Sequence, residues 1–372
     1  MAKLNLGKDL YVHGRIGWRG LSKEEYLKNG FYRIINATSL MDGYVDWNNC
    51  GYITKERYEE STEIMLQEND ILISKDGTLG KIGYVKNMKY PCTVASGIFV
   101  VRNTKKDILN FDYLYHILKS SIFKDFIARN KAIGSTISHL YQRDLENFEI
   151  ELPDIKVQEK IANVLNCLDE KIKINNMIVE KLQKILLTEF SHMFISIDDK
   201  DIIYLGQIAD LYQPKTISGN QLIYDGKYYV YGANGIIGKY DQYNHSENQI
   251  AVACRGASCG SVTMTLPFSW ITGNAMVVSP LKSFPYKEFI YYMLVIKSVS
   301  YLNTGSAQPQ LTRENLQNYS FKIKNRDLIN SFEGKAVIFR KKIISIEMEN
   351  NKLLSIREWL LPILMNGQVL VD

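Results

Sequence analysis

Several things are scarce in this chain. Eight prolines among 372 residues, beside 46% apolar residues, exclude a disordered chain and allow sizeable cores in two or three domains. Cys50, Cys92, Cys167, Cys254 and Cys259 form an odd set without a C-x-x-C pair. The Cys254 to Cys259 spacing fits no common zinc arrangement, so free thiols in a reducing compartment are expected. His13, His116, His139, His192 and His245 are scattered without a helical pair at metal-ligand spacing, and no metal site is predicted. No run of about 18 apolar residues exists to span a membrane, and Met1 to Leu10 lacks the apolar stretch of a signal peptide. A cytoplasmic protein is the expectation. The formal charge of +5 is mildly basic, compatible with a polyanionic partner without requiring one.

Catalytic motifs are missing too. There is no Asn-Pro-Pro-aromatic or Asp-Pro-Pro-aromatic tetrad to hold a flipped base, and no G-x-x-x-x-G-K-[ST] phosphate loop. Gly232, Gly235 and Gly238 lack dinucleotide-loop spacing and precede no helical pattern. Asp154, Asp169, Glu170 and Lys171 read as helix-start and solvated-face charges rather than a nuclease centre. A non-catalytic chain with no cofactor of its own is predicted.

What is present is two long helical seams. From about Pro153 to Phe190, Ile161, Leu165, Leu168, Ile172, Asn175, Val179, Leu182 and Leu186 alternate four and three residues apart, the signature of a coiled coil. From about Asp327 to Leu364, Ile329, Phe332, Ala336, Phe339, Ile343, Ile346, Asn350 and Leu353 follow the same logic. Each stretch supplies the other's partner. Each also carries a seam asparagine beside a second one, Asn175-Asn176 and Asn350-Asn351, and a seam asparagine fixes register at a cost in stability. About 37 helical residues make a rod of roughly 55 Å.

What precedes each rod is also duplicated. Asp70 to Ser74 reads as a buried strand closed by Lys75-Asp76-Gly77, and Ile82 to Val85 and Ser96 to Val101 continue the sheet. Phe111 to about Asn130 then switches to helical spacing. In the second half Ile250 to Cys254 is the strand, Arg255-Gly256 the turn, and Ala257 to Gly260 matches Thr78 to Gly80 with one extra residue. Asp112 to Leu118 aligns with Glu288 to Leu294, and Gly134-Ser135 with Gly305-Ser306. Leu140, Leu145, Asn147 and Phe148 fall on Leu311, Leu316, Asn318 and Tyr319. The predicted fold is therefore α+β: two mixed α/β recognition domains separated by two long antiparallel coiled-coil helices, with a pseudo-two-fold internal repeat. The expected boundaries are 1–152 and 201–325 for the domains, 153–200 for the first spacer helix, and 326–372 for the second helix and tail. Two such domains related by a two-fold suit the half-sites of duplex DNA, with the rods as a ruler.

Particular segments resemble the specificity subunits of type I restriction-modification systems. Leu360-Leu-Pro-Ile-Leu-Met-Asn-Gly-Gln368 is similar to that family's terminal signature. Gly14 to Gly20 and Asp70 to Gly80 are similar to segments of its first recognition domains, and Gln158 to Ala162 with Leu168 to Ile172 resembles its central helix. The resemblance covers nearly the whole chain. It implies a non-catalytic subunit that binds a bipartite double-stranded DNA target. It also implies two modification subunits, which hold S-adenosylmethionine and methylate adenine, and restriction subunits that translocate and cleave with ATP and Mg. A scaffold without sequence-specific DNA contact is the alternative, as is a chain that itself methylates or cuts.

Candidate DNA contacts follow from donors placed on turns and polar stretches. Lys75 and Thr78, with Arg255 and Ser258, sit on glycine turns, where an exposed turn without a ligand is equally plausible. Ser135, Thr136, Ser138 and His139 correspond to Ser306, Ala307, Pro309 and Gln310, and Gln308 joins the second set. Arg15, Trp18 and Arg19 form a basic-aromatic cluster, although such a tryptophan also suits a core. Tyr231, Asn234 and Lys239 form a second. At the end of the second rod Trp359, Leu360, Leu361, Leu364 and Met365 exceed what one groove needs. They are expected either to pack on the chain's own N-terminal segment and first rod or to dock a modification subunit.

Overall fold

The computed structural model describes residues 2–16, 20–41, 43–130, 139–194, 201–304, 309–323 and 326–365. It divides into two compact units, one of residues 1–173 and 351–372, the other of 174–350. Each unit thus takes a globular α/β part and a piece of both long helices.

In the first unit the apolar strand Ile71–Ser74 is buried along its whole length, as its unbroken run requires of a central strand. It lies between Ile98–Arg102 and Ile82–Tyr84 in a six-stranded sheet whose outer members are Tyr11–Gly14, Gly43–Val45 and Leu40–Met41. A three-stranded sheet, Gly51–Ile53, Tyr32–Ile35 and Cys92–Val94, adjoins a smaller core of its own. Strand Ala2–Asn5 pairs antiparallel with Glu149–Leu152. The helical stretch expected from Phe111 to Asn130 is two helices, Phe111–Lys119 and Ser121–Asn130. Ser120 separates them with an extended backbone, its hydroxyl donating to Ile117 O at 2.6 Å. That local bond competes with the helical ladder.

The second unit repeats the plan with shorter sheets. Strand Ile250–Ala253, fully buried, lies between Ala275–Pro280 and Val262–Met264, with Ala209–Tyr212 outside. The hairpin Tyr228–Gly232 and Gly235–Tyr240 pairs in parallel with Trp270–Ile271. Asp201–Tyr204 pairs with Ser320–Ile323, as Ala2–Asn5 does with Glu149–Leu152. Helix Lys287–Ile296 takes the place of Phe111–Lys119.

Both long helices run 40 residues, Ile155–Phe194 and Arg326–Met365. The first begins two residues after Pro153, with Asp154 O accepting from Gln158 N at 3.0 Å. No seam residue read from the sequence is exposed. In the second unit Asn175 Nδ2 donates to Asn350 Oδ1 at 2.8 Å, and Lys335 Nζ reaches Glu189 Oε1 at 2.6 Å. A step forward along one helix is a step back along the other, so the segments there are antiparallel. In the first unit Ile161 and Leu165 share a core with Leu361 and Leu364, and Asp169 pairs with Arg357 at 2.8 Å. All five cysteines are free.

Candidate nucleic-acid interface

In the first unit the site is built on the turn after Ile71–Ser74. Gly77 and Gly80 have φ of +68° and +74°, the left-handed region that glycine enters without penalty. Gly80 N donates to Ser74 O at 2.9 Å, Lys75 N to Gly97 O at 2.8 Å, and Leu140 N to Lys75 O at 2.9 Å. The turn is thereby tied to the chain returning at His139, which bridges Asp76 in an antiparallel pair. The His139 imidazole also bonds the Asp76 carboxylate through Nδ1, and both side chains are partly exposed, at 32% and 41%.

The second unit reproduces this frame. Gly256 and Gly260 have φ of +80° and +89°. Gly260 N donates to Ala253 O at 2.8 Å, Cys254 N to Asn274 O at 3.0 Å, and Leu311 N to Cys254 O at 3.1 Å. Arg255 bridges Gln310, and both are exposed. Ser258 Oγ donates to Ala233 O at 2.8 Å, which brings the hairpin tip with exposed Asn234 against the turn. The structure thus gathers Arg255, Ser258, Gln310 and Asn234. Gln213 Nε2 donates to Cys254 Sγ at 3.0 Å and to Gly273 O at 3.2 Å, buttressing the turn from behind.

Register by backbone bonds corrects the reading of the turns. Lys75 falls on buried Cys254, and Arg255 falls on Asp76. The Lys75 ammonium lies 4.7 Å from the Phe99 ring centre, and burial lowers its pKa although Asp76 opposes the shift. Thr78 remains an exposed turn residue. With Ser74 on Ala253 and Gly80 on Gly260 as anchors, the residue opposite Arg255 is Asp76, which the sequence reading does not place among the candidates.

Two further expectations are corrected by burial. Arg15 is 2% exposed; its guanidinium donates to Val94 O at 3.0 Å and to the hydroxyls of Ser61 and Thr93, each at 3.3 Å. It is a core ligand of the first domain, not a free cation for DNA. Tyr231 is 4% exposed, its hydroxyl accepting from Leu266 N at 3.1 Å, and burial pushes its pKa up to about 12. Lys239 is half-buried against the Tyr229 ring. Trp18, Arg19, Ser135, Thr136, Ser138, Ser306 and Gln308 lie outside the described residues.

Beside the first turn an open cleft of about 610 Å³ is lined by Thr78, Gly80, Lys81, Lys119, Lys124 and Arg357. Asp169 holds two of these cations, Lys119 at 2.7 Å and Arg357 at 2.8 Å. Its burial would raise the carboxyl pKa, but the two cations outweigh burial and hold it below the usual range. Cations therefore outnumber carboxylates in the cleft wall, as suits a phosphate backbone.

The terminal apolar cluster divides. Leu361 and Leu364 are each 4% exposed and belong to the core of the first unit with Leu4, Ile161 and Leu165, so they are not available for docking. Leu360 packs partly on that core, whereas Trp359 is 65% exposed. Met365 ends the helix. Among the described residues no cluster of metal-ligating side chains occurs, and no helix is long and apolar enough to cross a membrane.

Two copies of one module, sharing a turn geometry but differing in the side chains it carries, define a duplicated two-part recognition protein. The chain belongs to the family of the type I restriction modification DNA specificity domain, whose model matches residues 17–184 and again 197–324. It is 25% identical to the type I restriction enzyme MjaIX specificity subunit of Methanocaldococcus jannaschii, over 88% of this chain and 86% of that one. It is 32% identical to a putative specificity subunit of Haemophilus influenzae, over 41% of this chain and 35% of that one. A crystal structure of a type I restriction-modification S subunit from M. genitalium matches 98% of the chain, and 95% of that chain, with a TM-score of 0.57 and 20% identity.

Proposed function

We propose that this chain is the DNA specificity subunit of a type I restriction-modification complex and reads a bipartite, asymmetric duplex target, one half with each unit. The observation that carries the reading is the repeated match to the specificity domain, once on each copy of the internal repeat. The two turns support it because their backbone bonds agree while their side chains differ, as two unlike half-sites require. Thr78, Lys239, Arg255, Ser258, Asn234, His139 and Gln310 are proposed to face DNA, with the cleft cations on phosphates. The polar stretches containing Ser135, Thr136, Ser138, Ser306 and Gln308, with Trp18 and Arg19, are proposed to join them.

Chemistry is assigned to partners. Two modification subunits would hold S-adenosylmethionine and methylate adenine, and restriction subunits would use ATP and Mg, all in the cytoplasm. This chain would select the sequence and carry those subunits, with Trp359 as an exposed apolar contact for one of them. Methylome sequencing of the host with and without the gene is the test. Loss of one split motif with a fixed spacer on deletion supports the reading. If no methylation is lost and a random duplex library yields no enriched bipartite site, the chain is a scaffold instead.

A further inference from the structure

We propose that Asp76 and Arg255, at equivalent positions of the two turns, read bases of opposite hydrogen-bonding character. Asp76 accepts from the exocyclic amine of a cytosine or adenine in one half-site, and Arg255 donates to a guanine in the other. The inference rests on the reading of the chain as a DNA specificity subunit.

The backbone fixes the equivalence. The same three bonds frame each turn: glycine N to the last strand residue, the next residue's N to the residue just before the neighbouring strand, and the returning leucine to the carbonyl of that next residue. Asp76 bridges His139 where Arg255 bridges Gln310. Between the two copies the frame is held and the side chain reversed, from an acceptor to a donor. Gly77 and Gly256 each follow the reading residue, and a Cβ built on either meets nothing within 4 Å. The turn is open at both glycines.

The partners sharpen the difference. With Nδ1 of His139 engaged by Asp76, the imidazole donates to one carboxylate oxygen and positions it, while the other oxygen remains an acceptor. An ionised carboxylate only accepts, and in the major groove the donors are cytosine N4 and adenine N6. Arg255 only donates, through a planar fork that matches guanine O6 and N7. Gln310 beside it adds an amide with both a donor and an acceptor.

The test is selection from a random duplex library by the full chain assembled with its modification subunits, repeated with Arg255→Ala, Asp76→Asn and His139→Ala. The wild type should enrich a bipartite site with a guanine in one half and an amine-bearing base in the other. Arg255→Ala should relax that guanine alone, by about 10- to 100-fold in discrimination. Asp76→Asn should relax the amine position of the other half, and His139→Ala the same position more weakly. Unchanged melting temperatures show that the exposed substitutions leave the fold intact. The inference is overturned if Arg255→Ala weakens all sequences alike, which would mark a phosphate contact, or if both substitutions alter the same half. It is overturned as well if the relaxed positions carry other bases. A wild type without any enriched site removes the proposed function itself.

Discussion

Gln158 and Glu333 occupy one position of the repeat, related by the same offset of 175 residues that separates Asn175 from Asn350. Each sits on a long helix and satisfies the start of the helix packed on it. In the first unit the neutral amide of Gln158 accepts from Asn110 N at 3.0 Å and donates to Ile108 O and Pro153 O at 2.8 and 2.9 Å. In the second the carboxylate of Glu333 accepts from Glu288 N at 3.0 Å and Phe289 N at 2.9 Å. Both caps meet orphan amides, but only one titrates. The contact is common to the two copies while its charge differs, and the second unit has the Arg340–Glu288 pair nearby.

The sharpest way to separate the units is through their buried charges. Arg340 donates to Glu288 from Nε at 3.0 Å and from Nη2 at 2.9 Å, and both residues are buried. Arg340→Met would strand a carboxylate in the core, at a cost of about 3–5 kcal/mol in denaturant unfolding. Glu288→Gln added to that variant should recover part of the loss, because the carboxylate that Arg340 bonds is then gone. In the first unit Asp169 has two cationic partners, so Lys119→Met leaves Arg357 in place and should cost less than stranding Glu288.

Next in size is the pH response. Burial raises the Glu333 carboxyl to about 7, despite the two amides that favour its charged form. An acid whose pKa is higher folded than unfolded stabilises the protein when protonated. Its contribution is full below about pH 4.5 and lost as pH rises through about 7, a change on the order of 3 kcal/mol. Hydrogen-exchange protection of helix Lys287–Ile296, relative to the intrinsic rate, should fall over that window while that of Phe111–Lys119 shows no matching change. Glu333→Gln should remove most of the pH response, leaving the part that belongs to Glu347, whose pKa burial also raises, and Gln158→Glu should import a response into the first unit.

A smaller effect belongs to the asparagine pair, where a residue meets its own counterpart in the repeat. Asn350→Leu removes the acceptor of Asn175 and the donor to Asn176 Oδ1, and should cost about 1–3 kcal/mol in thermal or denaturant unfolding. Replacing both Asn175 and Asn350 by leucine should restore or raise stability, with helix register less strictly held.

Much of this was legible in the residues because burial writes itself as periodicity. The seams follow from three-four spacing, and the duplication from the spacing of Leu140, Leu145 and Phe148 against Leu311, Leu316 and Tyr319, all buried. Long-range bonds left no such trace. Arg15 looks like a surface cation until Val94, Ser61 and Thr93, remote in sequence, are seen to surround it. Leu361 and Leu364 look surplus to a two-helix groove because the strand bearing Leu4, which shares their core, lies at the other end of the sequence. The one-residue insertion between Gly256 and Gly260 blurred which side chains correspond, and only backbone bonds restored Asp76 to Arg255.

The gentlest test asks whether the two turns are one frame. Gly77 and Gly256 share a left-handed backbone and open surroundings, so alanine at either adds strain without a clash. Each substitution should lower stability by about 1 kcal/mol in denaturant unfolding, and by the same amount in both units. Equal losses would mean that the frame is common property and that specificity resides in Asp76, Arg255 and their partners. A larger loss at Gly256 would mean that the extra residue before Gly260 already strains the second turn. Side-chain exchange between the units would then have to carry the whole turn, from strand end to Gly80 or Gly260, rather than the reading residue alone.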